Sequence, residues 1–401
     1  MTFLEPAERL AAPDVDIADL RERRKQHLRS VMEAHGVDVA VLTNPVSIRY
    51  AIGYRGYALF QAHIPSSYLI VPVEGDVVYH GLDTEKTAVA DVLRSTNGVT
   101  VFDAGADLAT RARSFVSDVD RVIAESGLGR DAVVGLERMT ISAHDAVSAA
   151  GWSTAEVEPI VELARSLKIN GELDLIRHAI DVAELGMAKM EAALEPGITE
   201  NRLWSILHQV NVEHNGDWID GRMLCSGPRS NPWYQEASHR AIEAGDVVPF
   251  DTDMIGPFGY CADVSRTFLC GGVSPTAEQQ RLYDLALAEI EHNTALLRVG
   301  ASYKELSESV LRQPADVVAN RYACAFHGVG MSDEYPKIPY PDDWEWTGYD
   351  GEITDGLVLS VESYVGPVGG IEGIKLEQMV QVTSSGVELL SGYPLWNHGN
   401  L

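Results

Sequence analysis

Residues 245–268 read GDVVPFDTDMIGPFGYCADVSRTF, and this stretch decides which fold the chain adopts. Two apolar runs flank a Gly-Pro turn, which predicts a β-hairpin. Asp251 and Asp253 are two positions apart, so on an extended strand their side chains point to the same face. The returning strand can bring Asp263 beside them. Buried carboxylates are costly unless a partner or a cation compensates them, so the hairpin predicts a cation site.

Three later strand-like segments each carry one more candidate ligand. Glu362 lies in LVLSVESYV and Glu377 in IKLEQMV, both between apolar neighbours, and His327 precedes a glycine that lets backbone approach a site closely. Oxygen-rich ligation with one imidazole suits manganese, iron, cobalt or zinc. We therefore expect these three residues and the hairpin aspartates to share a pair of metal ions. The alternative, separate surface positions on half-buried strands, requires a different explanation for each residue.

The rest of the chain predicts two domains. Helix and strand signals alternate up to about residue 160, as in an α/β domain, and this half shows no catalytic cluster. Amphipathic periodicity then predicts one long helix over 163–190 and another over 276–297, with strands between and after them. We place the boundary between an N-terminal domain, 1–162, and an α+β C-terminal domain, 163–401.

Composition limits the class of protein. The chain has 401 residues, of which 59 are acidic and 31 basic, and the net charge of −28 would repel nucleic acid and anionic membranes. It has no apolar run of about 18 residues and no basic-then-apolar leader, so we expect no membrane span and no secretion signal. The four cysteines show no framework spacing and indicate reduced thiols in a cytoplasmic protein.

The ordered motifs resemble the creatinase/prolidase/methionine-aminopeptidase superfamily over most of the chain. The hairpin at 245–268 is similar to its first metal-binding motif, and HGVG, DGLVLSVES and GIKLEQMVQVTSSG are similar to its later His, Glu and Glu motifs. HGVDVAVLTNPVSIRYAIGY resembles the start of its N-terminal domain. The resemblance implies a C-terminal pita-bread metal-binding domain, a curved antiparallel sheet backed by helices, behind an N-terminal creatinase-like α/β domain. It also implies a homodimer.

The chain departs from the peptidases of this superfamily in three places. Their first aspartate stands eleven residues before the second, whereas here Asp251 and Asp253 precede Asp263 by twelve and ten, which leaves open whether one or both bind metal. The peptidases also carry two histidines that assist amide hydrolysis. Trp233, in SGPRSNPWYQE, and Glu334, in HGVGMSDEYP, take those places here. This argues against cleavage of proline peptides.

One branch of the superfamily, the dimethylsulfoniopropionate lyases, is similar at these same positions. This chain shares CSGPRSNPW at 225–233, FDTD at 250–253 and the pair Asp333-Glu334. The resemblance implies β-elimination of dimethylsulfoniopropionate to dimethyl sulfide and acrylate, with Asp333 as the base. It implies two metal ions, iron favoured over zinc, manganese or cobalt, on Asp251, Asp253, Asp263, His327, Glu362 and Glu377. The alternative is an Xaa-Pro dipeptidase- or aminopeptidase-like metallohydrolase acting on a small amide.

Recognition of a small zwitterionic carboxylate substrate would also require a place for its cation. A sulfonium group favours aromatic faces and a negative field. Trp233, Tyr234 and Tyr322 lie near the motifs in sequence, and we expect them to bind substrate. The alternative for each is packing in the wall or core. A third hypothesis, a binding module without activity, gives no reason for a complete set of ligands.

Overall fold

The computed structural model describes residues 10–82 and 89–397. They form two compact units, one of Asp16–Arg165 and one of the chain from Ser166 onward, with residues 10–15 grouped with the second. The division falls inside the helix Glu158–Ser166.

A mixed six-stranded sheet with helices around it makes up the first unit. The sheet order is β4-β3-β2-β1-β5-β6, in which β1–β2 and β2–β3 are antiparallel and the other neighbours are parallel. The strands are Val39–Leu42 (β1), Tyr68–Pro72 (β2), Val78–Gly81 (β3), Val92–Ser95 (β4), Val133–Leu136 (β5) and Ser153–Glu156 (β6). The helices are Ile17–Ala34 (α1), Pro45–Ile52 (α2), Ala58–His63 (α3), Val101–Ala104 (α4), Leu108–Glu125 (α5), Ile141–Ala149 (α6) and Glu158–Ser166 (α7).

The second unit is built on a five-stranded antiparallel sheet in the order β13-β12-β14-β15-β16, with a two-stranded sheet (β11-β8) and a three-stranded sheet (β10-β9-β7). Its strands are Trp218–Ile219 (β7), Val247–Asp251 (β8), Met254–Ile255 (β9), Cys261–Ala262 (β10), Ser265–Leu269 (β11), Phe326–Val329 (β12), Asp333–Ile338 (β13), Leu357–Val365 (β14), Ile374–Thr383 (β15) and Gly386–Leu389 (β16). Its helices are Glu172–Ala193 (α8), Glu200–Glu213 (α9), Ala277–Leu296 (α10), Tyr303–Ser309 (α11) and Trp344–Thr347 (α12). The mixed α+β class agrees with the expectation from sequence.

Strand alternation decides which face of the large sheet carries chemistry. On β14, Leu359, Val361 and Val365 pack in the same core as Leu282 and Ile290 of α10. Successive side chains of a strand point to opposite faces, so the even-numbered residues of β14 face away from this helix. The same rule places the odd-numbered residues of β15 on that second face. Because burial against α10 fixes which residues lie on one face of the sheet, it also fixes which residues lie on the opposite face.

The long helix expected over 163–190 is two helices. α7 ends at Ser166 and α8 begins at Glu172, and Gly171, with a φ of +94°, forms the N-cap of α8. A left-handed residue interrupts helical geometry, and glycine adopts it without steric cost. The helix expected over 276–297 is α10, which Thr276 and Gln279 cap reciprocally. Over residues 10–82 and 89–397, the structure contains no helix that combines the length and apolarity needed to cross a membrane.

Candidate metal centre

The hairpin of β8 and β11 delivers the three aspartates predicted from its sequence. Asp251 ends β8 opposite Ser265 of β11. Asp253 does not lie on an extended strand as the alternation argument assumed, because its φ is +35°, a left-handed conformation that aspartate tolerates better than most residues. Thr252 Oγ1 accepts from the amide of Val264 at 3.0 Å and donates to the carbonyl of Ala262 at 2.8 Å. These bonds hold the aspartate-bearing turn beside Asp263.

The large sheet brings the other three candidates to the same place. Glu362 of β14 lies directly opposite Glu377 of β15, and β12 pairs with the other edge of β14. His327 Nε2 lies 3.1 Å from Glu362 Oε1 and 3.7 Å from Glu377 Oε1. It also lies 3.4 Å from Oδ2 of Asp263.

Two groups of possible ligand atoms result, and they share one residue. Within each group the atoms lie within 4.8 Å of one another; the groups are Asp263, His327, Glu362 and Glu377, and Asp251, Asp253 and Asp263. We call these six residues the donor cluster. Asp263 would therefore be a candidate ligand for either of two cations.

Unsatisfied oxygens show that the donor cluster fits a pair of cations. Asp251 Oδ1, Asp263 Oδ1 and Glu377 Oε1 are buried without a hydrogen-bond partner among the described residues. Burial, followed by repulsion from Glu377, raises the pKa of Asp251 to about 6 and that of Glu362 to about 8. A carboxylate that is costly to ionise in isolation ionises readily next to a divalent cation. Hard oxygen donors with one imidazole therefore fit the metals expected from sequence.

A buried lysine partly neutralises these acids. Lys375 Nζ lies 2.6 Å from Glu362 Oε2, 3.2 Å from Asp251 Oδ2 and 3.5 Å from Glu377 Oε2. It also donates to Ser265 Oγ at 2.7 Å. Its position two residues before Glu377 on β15 puts both side chains on one face. The donor cluster and Lys375 together therefore carry less negative charge than the number of acids in the cluster implies.

Arg266 fixes the hairpin against the large sheet. This fully buried guanidinium donates to the carbonyl of Glu377 at 2.7 Å and to that of Ser265 at 2.9 Å. It makes two further bonds, of 2.9 and 3.0 Å, to the carbonyl of Tyr393. The contacts go to backbone on β11, β15 and the C-terminal segment. Arg266 therefore positions the strands that carry the donor cluster.

A cavity of about 410 Å³ opens beside the donor cluster and contains the predicted base. Asp333 and His327 both line it, and Asp333 Oδ1 lies 3.9 Å from His327 Nδ1. The Asp333 side chain is 59% exposed, whereas the residues of the donor cluster are buried or nearly so. A carboxylate at this edge can reach a molecule held in the cavity.

The three predicted substrate-binding aromatics divide between the cavity and the core. Tyr322 and Tyr234 line the cavity, with their rings stacked at 5.6 Å. Lys375 Nζ lies 4.4 Å from the centre of the Tyr322 ring. Trp233 is 5% exposed and packs against Tyr364 and Cys225 instead of lining the cavity. Its bulky, apolar indole is better buried than solvated.

Sequence reasoning did not find two further parts of the site. Glu334 is paired with Lys168, which lies 166 positions earlier in the chain. Tyr335 and Tyr349 stack at 5.7 Å on another part of the cavity wall. The proximity of Tyr335 to the histidine motif was a signal, but no local pattern indicates its pairing with Tyr349 or that of Lys168 with Glu334.

Family models match both units of the chain. The model of metallopeptidase family M24 matches residues 174–384, which contain every residue of the donor cluster. The model of the creatinase/prolidase N-terminal domain matches residues 24–167.

The chain is also similar to individual curated proteins and solved structures. It is 33% identical to the dimethylsulfoniopropionate lyase DddP of Roseovarius nubinhibens, over 96% of this chain and 88% of that protein. It is 32% identical to the DddP of Roseobacter denitrificans, over 94% and 87% respectively. Among solved structures, a prolidase from Thermococcus sibiricus superposes with a TM-score of 0.74 at 18% identity, covering 94% of this chain and 98% of that one. This last likeness shows the pita-bread fold.

Proposed function

Because the chain belongs to metallopeptidase family M24, with a creatinase/prolidase N-terminal domain, we propose that it is a metal-dependent carbon–sulfur lyase. Its substrate in this proposal is dimethylsulfoniopropionate, and its products are dimethyl sulfide and acrylate. The similarity to two proteins named dimethylsulfoniopropionate lyase, over nearly the whole chain, supports this substrate.

The observation that carries the proposal is the composition of the cavity wall. Asp333 stands at the open edge of the donor cluster, and among the described residues that line the cavity His327 is the single histidine. Hydrolysis of an amide in this superfamily, as the sequence resemblance implies, uses two further imidazoles. Trp233 is buried in the core, and Glu334 is bound to Lys168, so neither replaces an imidazole. Elimination instead requires a base within reach of the reacting carbon, and Asp333 can supply it.

The donor cluster would hold the metal ions, and Asp263 belongs to both groups of possible ligands. Bound there, two divalent cations would act as Lewis acids toward the substrate carboxylate and stabilise the charge that develops on it. Residues around the cluster contribute their own part. Arg266 and the Thr252 bonds fix the ligand-bearing strands, and Lys375 limits the negative charge that surrounds the site.

The reacting atoms then need one proton acceptor. Asp333 takes a proton from the carbon next to the substrate carboxylate, and the electrons of that C–H bond form the new carbon–carbon double bond. The adjacent C–S bond breaks with its electron pair moving to sulfur, which leaves as neutral dimethyl sulfide. Acrylate remains, and Asp333 returns its proton to water. The exposure of its carboxylate provides that route.

The cation of the substrate would be held by aromatic and acidic groups. Tyr234 stacks on Tyr322 in the cavity wall and is 59% exposed, so its ring offers a face to a sulfonium group. We assign substrate contact to Tyr234 and Tyr322 and a supporting role behind them to Trp233.

We further propose iron as the resident metal, a homodimer as the assembly and the cytoplasm as the location. The ligand set supports iron, manganese, cobalt or zinc equally on chemical grounds. The four cysteines are buried and unpaired, as expected in a reducing compartment. Elemental analysis, light scattering after gel filtration and cell fractionation test these three statements.

Headspace gas chromatography of purified, metal-loaded protein with millimolar dimethylsulfoniopropionate tests the function. We expect dimethyl sulfide and an equal amount of acrylate, and neither after treatment with a chelator. A parallel ninhydrin assay with Gly-Pro tests the hydrolase that the M24 fold also permits. Amino acid release without dimethyl sulfide would replace the lyase by that hydrolase.

A further inference from the structure

A buried ion pair lies immediately behind the proposed base. The carboxylate of Glu334 is paired with the ammonium group of Lys168, and the two side chains are 1% and 2% exposed. Lys168 Nζ also donates to the carbonyl of Ser166 at 3.2 Å. Glu334 belongs to β13, whereas Lys168 lies between α7 and α8. The pair therefore ties a cavity strand to the segment that enters this unit.

The base itself has few contacts of its own. Among the described residues, the one histidine or basic side chain within 4 Å of the Asp333 carboxylate is His327, at 3.9 Å. Ser332 Oγ donates to the backbone carbonyl of Asp333 at 2.9 Å and leaves the carboxylate unrestrained. The backbone of β13 therefore sets the point from which this carboxylate extends, and whatever fixes that backbone fixes the Cα position of the base.

The Glu334 side chain packs against the turn that connects β12 to β13. A Cβ added to Gly330 would lie 2.1 Å from Glu334 Oε1, so the carboxylate occupies the space beside that glycine. The pairing of the two strands shifts in register between His327 and Gly328. A Cβ on Gly328 would lie 2.3 Å from the carbonyl of Tyr335. An irregular, closely packed turn thus separates His327 from Asp333, with Glu334 against its inner side.

We propose that the Lys168–Glu334 ion pair is a positioning device that holds Asp333 at the working distance from the substrate carbon. The inference rests on the proposed lyase function and extends it to two residues that have no assigned part in proton transfer. Small displacements of a catalytic group have large kinetic effects, so a pair that fixes the backbone next to the base influences the rate of proton transfer.

Single and double substitutions separate this role from simple stabilisation. Removing one member of a buried pair leaves an uncompensated charge, whereas replacing both members by apolar side chains of similar volume is often tolerated. The variants are Glu334→Gln, Lys168→Met, and the double variant Lys168→Met/Glu334→Leu. A matched control removes the exposed ion pair of Arg312 and Asp342, whose side chains are 61% and 57% exposed, by Arg312→Met/Asp342→Leu.

The measurement is turnover of dimethylsulfoniopropionate per metal-loaded chain, with and without deuterium at the carbon next to the carboxylate. We expect the double variant to keep its metal and its melting temperature while kcat falls about 10- to 100-fold and KM changes little. Its deuterium isotope effect should be no smaller than that of the unchanged protein, because proton transfer is the step that slows. The exposed-pair control should keep its kcat.

Two results would overturn the proposal while the lyase function stands. One is a double variant with unchanged kcat and isotope effect. The other is a fall in kcat that merely follows the loss of bound metal, which would assign the pair to the metal centre. If the unchanged protein forms no dimethyl sulfide, the function itself fails and the inference fails with it. A charge-exchanged variant, Lys168→Glu/Glu334→Lys, that recovers part of the lost kcat would support the pair directly.

Discussion

The ammonium group of Lys375 lies 2.6 Å from Oε2 of Glu362, and both side chains are almost completely buried. The cross-strand pairing of Glu362 with Glu377 creates this arrangement, because it places two carboxylates side by side on the face that Lys375 shares. A fixed lysine cation and exchangeable metal cations therefore bind to the same group of oxygens. The balance between them can be measured.

Substitution Lys375→Met should destabilise the metal-free protein much more than the metal-loaded protein. Without metal, the variant loses the cation that compensates Glu362 and Asp251, a change that costs about 3–5 kcal/mol in a buried pair. With metal, the bound ions supply the positive charge. Thermal unfolding in chelator and in excess metal should show a larger metal-induced rise in Tm for the variant. The exposed Lys304→Met provides the control, and equal rises in both variants would contradict this account.

Metal stoichiometry should distinguish Asp263 from Asp253. Asp263 belongs to both groups of possible ligands, whereas Asp253 belongs to one. We expect Asp263→Asn to lose most of both ions and Asp253→Asn to keep about one per chain, because only one of two sites loses a ligand. Elemental analysis after gel filtration measures this. Equal losses of bound metal in the two variants would show that Asp263 does not contribute to both metal sites.

Substitution Asp333→Asn should remove turnover but leave the metal in place. A general base contributes about 10²- to 10⁴-fold to a rate, and the exposed side chain of Asp333 contributes little to folding. The assay is dimethyl sulfide formation per metal-loaded chain, together with the melting temperature. The exposed loop acid Asp342 gives the control variant Asp342→Asn, which should retain full activity. Turnover by Asp333→Asn close to that of the control would exclude Asp333 as the base.

Tyr234 should affect binding of the substrate cation more than the chemical step. An aromatic face contributes about 0.5–2 kcal/mol to a bound cation, so Tyr234→Ala should raise KM by roughly 3- to 30-fold with a small change in kcat. Tyr234→Phe keeps the ring and should keep KM. If Phe and Ala variants weaken binding equally, the hydroxyl group and not the ring face makes the contact.

The sequence pattern around each residue was enough to predict that the donor cluster comes together in the C-terminal unit. Carboxylates and a histidine stand in otherwise apolar strands, and the cost of burying them in isolation requires that they share partners or cations. Strand alternation also explains why Glu362 and Glu377 face each other, because each strand has one face committed to the core that contains α10. The α+β class and the two-domain organisation follow from the same periodicities.

Other features depend on tertiary structure and leave no trace in local periodicity. The pairing of Lys168 with Glu334 joins positions 166 residues apart, and burial of both charges depends on strands packed around them. Asp253 leaves the strand through a left-handed turn, although spacing alone predicts an extended conformation. Trp233 is buried in the core because its side chain is large and mostly apolar. Its place in a motif does not indicate this burial.

Glu289 should make the folded protein less stable as the pH rises from about 4.5 to 7. This fully buried carboxyl group accepts hydrogen bonds from Ser363, Gln313 and Tyr340 beneath the large sheet. Burial raises its pKa from 4.5 to about 7 in spite of those bonds. The folded protein therefore retains a proton at pH values at which the unfolded chain has released it, so the stabilisation present below pH 4.5 is lost as the pH passes through 7.

A comparison with Glu289→Gln isolates this effect, because glutamine does not titrate. The variant should be less stable than the unchanged protein at pH 4.5, and the difference should shrink by about 3 kcal/mol on going to pH 8. Urea unfolding of both proteins in chelator, at several pH values, measures the difference, from which the titration of all other groups cancels. Glu291 is an exposed position on the same helix, and the free energy of unfolding of Glu291→Gln should change with pH as that of the unchanged protein does. If the free energy of unfolding of Glu289→Gln also changes with pH as that of the unchanged protein does, Glu289 ionises in the folded protein as readily as in the unfolded chain.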